Sequence, residues 1–279
     1  MVNKRNVRVD VLIPSSFSAE TPHIREKTLR IGMVARYLAA FRIETLIIYP
    51  EELENPMYEN AEYIKLIMDY LNTAPYLRKK LFPFSRKLRY VGILPPLNIP
   101  THPEEPTINV HHFREGLVVR SDTYSIIEAG LSKQIKISKK LKKRSKVIVE
   151  VEPVNGKPRF RVYSRRKAEV YSGFKTTIVL EKLDEIVRSY DLKIATSRLG
   201  VDVRSVWKKL EEDLGKCSRV CIVFGASKRG LYEIAKLHGI DLEKTFNYIL
   251  NTFPNQGVKT IRTEEAIAYT LSILNLITP

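Results

Sequence analysis

Asn251-Thr252-Phe253-Pro254-Asn255-Gln256-Gly257-Val258-Lys259-Thr260-Ile261-Arg262-Thr263-Glu264-Glu265 joins a short β-like run, Asn247 to Asn251, to a long helical one, Arg262 to Ile277. A plain strand-to-helix connection needs only about two to six residues. Here Pro254 and Gly257 stiffen and bend the chain, Thr260 and Thr263 add hydroxyls, and Lys259 and Arg262 bring cations to the start of a helix. Thr263 is the expected N-cap, with Glu264 and Glu265 in the first turn. A connection this elaborate reads as a ligand-binding loop.

The same grammar repeats upstream. Arg219 to Phe224 is a buried strand that opens onto Phe224-Gly225-Ala226-Ser227-Lys228-Arg229-Gly230, followed by a helix from Leu231 to His238 closed by Gly239. The two glycines mimic a phosphate-binding loop, but Leu231 stands where that loop needs its lysine. No glycine stands two places after Gly225, so the dinucleotide fingerprint fails as well. Taken alone, the segment reads as a tight turn with bare backbone amides, or as a plain connection. Leu192 to Ala195 is a third strand, running into Thr196-Ser197-Arg198-Leu199-Gly200 and then a helix from Val203 to Leu214. Three loops at the carboxyl ends of three strands form the edge at which open α/β sheets take ligands.

Further out, Val7 to Pro14 and Glu44 to Tyr49 read as strands, and Pro22 to Phe41, Asn60 to Leu71 and Leu180 to Tyr190 as helices. Between about Leu88 and Val170 the helical period disappears. Short β runs replace it: LRYVGIL, GLVVR, KQIKI, KVIVEVE and RFRVYS, with turn signals at Pro95-Pro96, Glu115-Gly116 and Asn155-Gly156. This predicts residues 1–87 and 171–279 as one discontinuous α/β domain, interrupted by a small OB-like β-barrel at 88–170.

Charge separates the two parts. The chain carries a net +16, yet Leu131 to Lys175 alone holds 15 basic and 3 acidic residues, and Tyr76 to Tyr90 holds six basic residues and no acid. The remainder is slightly acidic. Such localisation predicts a polyanion-binding surface. The expected phosphate contacts are Lys139, Lys140, Lys142, Lys143 and Arg144 in one run, Arg159, Arg161, Arg165, Arg166 and Lys167 in another, and Arg78, Lys79 and Lys80 in the aromatic-rich segment YLRKKLFPFSRKLRY. Those aromatics suit either base stacking or packing on a core.

Several chemistries find no support. Five scattered histidines and two cysteines offer no metal-ligand cluster, and no glycine-flanked serine nucleophile is present. No apolar run is long enough to cross a bilayer, and the N-terminal apolar stretch is broken by Asp10 and Pro14, so neither a membrane partner nor a secretory signal is expected. Cys217 and Cys221 read as reduced thiols of a cytoplasmic protein.

The order of these motifs resembles the SPOUT RNA methyltransferases, in particular the branch of RNA uridine N3-methyltransferases with an inserted OB-like domain. The resemblance rests on Ala74–Pro83 (APYLRKKLFP), Gly92–Pro103 (GILPPLNIPTHP), Phe113–Val119 (FREGLVV), Lys193–Gly200 (KIATSRLG), Val223–Gly230 (VFGASKRG) and Asn251–Ile267, and covers nearly the whole chain. It implies a C-terminal trefoil knot, a homodimer whose partner subunit completes each active site, and S-adenosylmethionine held in three loops without a metal. Mapped here, the cofactor-binding residues are Thr196, Ser197 and Gly200; Phe224, Gly225 and Ala226; and Phe253, Pro254, Gln256, Gly257, Val258, Thr260, Ile261 and Thr263. The implied substrate is a uridine N3 in ribosomal RNA. Arg25, Arg36, Arg198 and Arg262 are the candidates for stabilising the uridine anion, and no general base stands out. Two alternatives stay open: a non-catalytic RNA-binding assembly factor, and methylation of another RNA atom such as ribose O2′.

Overall fold

The computed structural model describes residues 2–279. In chain order the strands and helices are β1 (Arg8–Pro14), α1 (Ile24–Ala40), β2 (Thr45–Tyr49), α2 (Tyr58–Leu71), α3 (Pro75–Leu81), β3 (His112–Ser121), β4 (Ser125–Glu128), β5 (Ile135–Ile137), β6 (Lys146–Val154), β7 (Lys157–Tyr163), β8 (Lys175–Ile178), α4 (Leu183–Val187), β9 (Leu192–Asp202), α5 (Trp207–Lys216), β10 (Arg219–Val223), α6 (Leu231–Leu237), α7 (Leu242–Thr245), β11 (Tyr248–Asn251) and α8 (Thr263–Asn275). They form two compact units. One holds the N-terminal residues up to Lys4 with Tyr70–Arg86 and Pro96–Gly173, the other Arg5–Asp69, Lys87–Pro95 and Phe174–Pro279.

The second unit is built on a parallel sheet in the order β11-β9-β10-β1-β2-β8. Its central strands are buried along nearly their whole length, which is why they read as continuous apolar runs rather than alternating ones. On one side Leu12, Tyr49, Cys221, Val223, Leu231 and Ile234 share a core. The apolar positions of α8 are also internal: Ile267 and Thr270 are fully buried and Leu271 and Leu274 nearly so.

The first unit is an antiparallel sheet in the order β5-β4-β3-β6-β7, with Val118, Ile127, Val149 and Val151 in its core. Asn155 and Gly156 turn β6 into β7 with φ of 48° and 76°, the left-handed pair that a two-residue hairpin needs. Ala74 and Leu77, at the start of α3, bury against Leu117 of β3. This helix starts at Pro75 and runs into the basic segment at 76–90.

Three local expectations change. LRYVGIL is no strand: it forms 3-10 turns at Arg86–Leu88 and Val91–Ile93. Pro95 and Pro96 supply no ladder donors, and Leu94 instead buries over Gly32. The helix expected over 180–190 shrinks to α4. Arg262, not Thr263, is the N-cap of α8, its amide donating to Glu265 Oε2 at 2.8 Å. β4 and β8, both short, had no clear signal in the sequence.

Candidate functional site

β9 does not end at Ala195. It runs on to Asp202, and its pairing with β11 jumps from Ala195–Ile249 to Val201–Leu250. The five residues from Thr196 to Gly200 are therefore a bulge in a continuous strand, not a loop. Gly200 makes it possible: a Cβ there would lie 2.5 Å from the Ile249 carbonyl oxygen. Thr196 Oγ1 anchors the other end by donating to Val223 O at 2.9 Å.

The turn after β10 is pinned through its carbonyls. The buried Tyr49 hydroxyl donates to Phe224 O at 2.7 Å, and Thr263 Oγ1 donates to Gly225 O at 3.2 Å. The second bond ties this turn to the start of α8. The Ala226 amide closes the turn on Arg229 O at 2.9 Å.

The loop between β11 and α8 is held by its own side chains. Gln256 Nε2 donates to Val258 O at 2.7 Å and to Lys259 O at 3.2 Å. Asn251 Oδ1 accepts from the Phe253 amide at 3.1 Å, while its Nδ2 donates to Arg198 O at 3.1 Å. Arg198 Nη1 donates in turn to Lys259 O at 3.0 Å, so the bulge and the loop are cross-linked. The Phe253 and Tyr269 rings stack at 4.8 Å, and the buried Thr252 and Thr270 hydroxyls meet at 2.7 Å.

These three segments enclose a cavity of about 460 Å³. Its wall takes Thr196, Ser197 and Arg198 from the bulge, Phe224, Gly225 and Ala226 from the turn, and Phe253, Gln256, Thr260, Ile261 and Thr263 from the last loop and helix. Gly200, Pro254, Gly257 and Val258 lie off the wall. So do three of the four candidate arginines: Arg25 is exposed in the first turn of α1, Arg36 is half-buried further along α1, and Arg262 is exposed at the α8 cap. Ser227, Lys228, Tyr232, Glu233 and Tyr269 also face the cavity and were not singled out from the sequence. Tyr232 and Glu233, in the first turn of the helix after the glycine turn, were the most findable of them.

Arg30 is the other residue that sequence reasoning missed. It reaches Glu264 in α8, Glu20 at 2.6 Å and the Thr21 hydroxyl at 2.6 Å. Burial alone would raise the Glu20 carboxyl, but the hydrogen bond and charge of Arg30, a backbone hydrogen bond and a hydrogen bond with Ser227 of the cavity wall together hold it below the usual carboxylate range. Among the described residues, no group of three or more His, Cys, Asp or Glu is placed to hold a metal ion. No helix among them is long and apolar enough to cross a membrane.

The expected phosphate contacts of the first unit divide into two kinds. Lys139, Lys140, Lys142, Lys143 and Arg144 are all exposed on the connection between β5 and β6. The backbone beneath them is fixed: Ser125 Oγ donates to Lys139 O at 2.7 Å and accepts from the Leu141 amide at 2.9 Å, and the Arg144 amide donates to Val118 O at 2.8 Å. Lys79, Arg166 and Lys167 are exposed as well. The others are engaged internally. Arg159 pairs with Glu152 at 2.6 Å, Arg161 with Glu150 at 3.4 Å and Glu152 at 3.3 Å, and Lys80 with Glu128 at 3.0 Å. Arg78 donates to Thr73 O at 3.0 Å, and Arg165 donates to Gly173 O.

A family model described as "Putative RNA methyltransferase" matches residues 8–274. The human "28S rRNA (uridine-N(3))-methyltransferase" is 29% identical over 97% of this chain and 78% of its own length. The mouse protein of the same name is 30% identical over 97% of this chain and 76% of its own. An uncharacterized protein of Haloarcula marismortui is 31% identical over 95% of this chain and 98% of its own.

Proposed function

The chain belongs to this RNA methyltransferase family, and on that premise we propose that it transfers a methyl group from S-adenosylmethionine to N3 of a uridine in ribosomal RNA. The observation that carries the reading is the cavity at the carboxyl ends of β9, β10 and β11. Its volume of about 460 Å³ falls within the range of roughly 300–1,000 Å³ typical of small-molecule sites. Its make-up suits a nucleoside joined to an amino acid. Phe224, Leu231 and Leu250 give apolar surface, Thr196, Ser197 and Thr260 give hydroxyls, and Glu233 and Lys228 offer one charge for each end of an amino acid. At Gly225 a Cβ would crowd Arg229 O and the Leu231 amide at 3.2 Å, which keeps that wall bare backbone.

When bound, S-adenosylmethionine supplies a methyl group already electrophilic on a sulfonium, which calls for no metal. The protein's tasks are then to align the acceptor and to stabilise the charge left when uridine N3 loses its proton. Of the four candidate arginines, Arg198 is the one on the cavity wall, with its guanidinium steadied by Lys259 O. It is the group we assign to the developing anion.

The same reading includes a trefoil knot through the cavity loops, supported by β9 lying between β10 and β11 and by the Thr263–Gly225 bond. It includes an OB-like barrel around β3–β7 as the RNA platform, covering the sequence 88–170, and a homodimer that completes each site. The dimer face cannot be the apolar side of α8, which is spent on the chain's own core. The exposed Leu199, Val201, Phe253 and Val258 of the bulge and loop suit the role better. The free thiols Cys217 and Cys221 fit a reducing, cytoplasmic setting.

Calorimetry with S-adenosylmethionine, or its demethylated product, in chelator-treated buffer tests the cofactor assignment. Binding at one site per chain is expected. No heat and no thermal shift with either ligand would favour a non-catalytic RNA-binding factor instead.

A further inference from the structure

Phe84 is 100% exposed, ahead of Leu276 at 75% and Leu199 at 72% among large apolar side chains of the described residues. Its surroundings hold it there. The chain is anchored up to the residue before the proline: the Phe82 amide donates to Arg78 O at 2.8 Å, and the Phe82 ring meets Tyr70 edge-on at 5.3 Å. The Arg78 guanidinium covers the Tyr70 ring at 4.8 Å. Pro83 then fixes the backbone, and Phe84 projects clear of this cluster. The aromatics of the segment thus take both roles left open by the sequence. Tyr76 and Phe82 pack; Phe84 does not.

The neighbourhood is cationic. Lys79 and Arg86, both exposed and both in the same compact unit, flank Phe84 in sequence, and no acid occurs from Tyr76 to Tyr90. An isolated ring held in water between cations matches a ligand with a flat apolar face on an anionic tether. An unpaired nucleobase in a phosphodiester chain is such a ligand. A base-paired duplex is not, because its faces are already stacked.

We propose that Phe84 is a base-stacking post: it takes one unpaired nucleobase of the RNA on its open ring, while Lys79 and Arg86 meet the flanking phosphates. The inference rests on the reading of this chain as an RNA-binding enzyme and adds a site to it, one that selects for single-stranded RNA.

The test is fluorescence anisotropy with a single-stranded oligoribonucleotide and a duplex of equal length, each across a salt series. Phe84→Ala should weaken single-strand binding by about 10- to 100-fold, the worth of one base–ring stack, with duplex affinity and salt slope unchanged. Phe84→Trp should restore binding, and thermal stability should match the wild type because the ring packs against nothing. Single-strand affinity unchanged in Phe84→Ala would overturn the proposal, as would an equal loss on strand and duplex. A loss of binding to anionic vesicles in that variant, with RNA binding intact, would reassign Phe84 to a lipid surface. A wild-type protein that binds neither RNA would sink the RNA-platform reading itself, and Phe84 with it.

Discussion

Arg30 meets Glu264 through two parallel hydrogen bonds, Nε to Oε1 at 2.8 Å and Nη2 to Oε2 at 2.9 Å. Both side chains are largely buried, at 14% and 4% exposure. Glu264 follows Thr263, which bonds the turn after β10, and Glu20 carries the same guanidinium to Ser227. One arginine on α1 therefore positions two of the segments that border the cavity, the start of α8 directly and the turn after β10 through Glu20. Arg30→Ala strands the buried Glu264 carboxylate and should cost about 3–5 kcal/mol of stability. Arg30→Lys keeps the charge but loses the fork, so it should fold and yet bind S-adenosylmethionine more weakly. Thermal unfolding and calorimetry on both variants check this; wild-type cofactor affinity in Arg30→Lys would remove Arg30 from the site.

Gly200 and Gly257 now part company. A Cβ at Gly200 would meet backbone atoms of Ile249 and Leu250 at 2.5–2.8 Å, whereas at Gly257 nothing lies within 4 Å. Gly200→Ala should lose about 1–3 kcal/mol and disturb the bulge, lowering cofactor affinity. Gly257→Val should bind the cofactor as the wild type does, because Gly257 lies off the cavity wall and a side chain there meets open space. Equal behaviour of the two variants in calorimetry would contradict the bulge geometry.

The connection between β5 and β6 offers free charge, and β7 does not. Replacing Lys139, Lys140, Lys142 and Lys143 with alanine should lower RNA affinity and flatten its salt dependence by up to about 0.7–0.9 units per lost phosphate contact. Arg159→Ala with Arg161→Ala should change the slope less, since Glu150 and Glu152 already meet those charges. A larger effect from the β7 pair would reverse this assignment.

His102 is 5% exposed, and burial pushes its imidazole down to about 4, only partly opposed by Glu115 at 3.7 Å. In the unfolded chain it titrates near 6.5. Between these values the unfolded state holds the proton and the folded state does not, so stability falls as pH drops from 6.5 towards 4, by up to about 3 kcal/mol. Chemical denaturation at pH 7 and pH 4.5 should show a smaller loss in His102→Gln than in the wild type. Identical losses would mean that His102 is not the responsible group.

Much of this was legible in the sequence because strand burial writes itself as apolar runs. β1, β2, β10 and β11 stand where those runs do, and the Asn155-Gly156 hairpin was fixed by backbone conformation alone. The bulge was not legible. Thr196 to Gly200 is polar and contains a glycine, which signals a loop, and only pairing with the distant β11 keeps it in the strand. The Arg30 fork was equally hidden, since its partners lie 10 and 234 residues away. Charge counting found the basic unit but could not tell Lys142, facing water, from Arg161, neutralised across a strand pair.

The most direct test of the central claim is mass spectrometry of ribosomal RNA nucleosides after incubation of unmodified RNA with the purified protein and S-adenosylmethionine. N3-methyluridine is expected with the wild type, and a strongly reduced yield with Arg198→Ala at saturating S-adenosylmethionine. Methylation appearing only on ribose O2′, or no methylated nucleoside from RNA that the protein demonstrably binds, would contradict it.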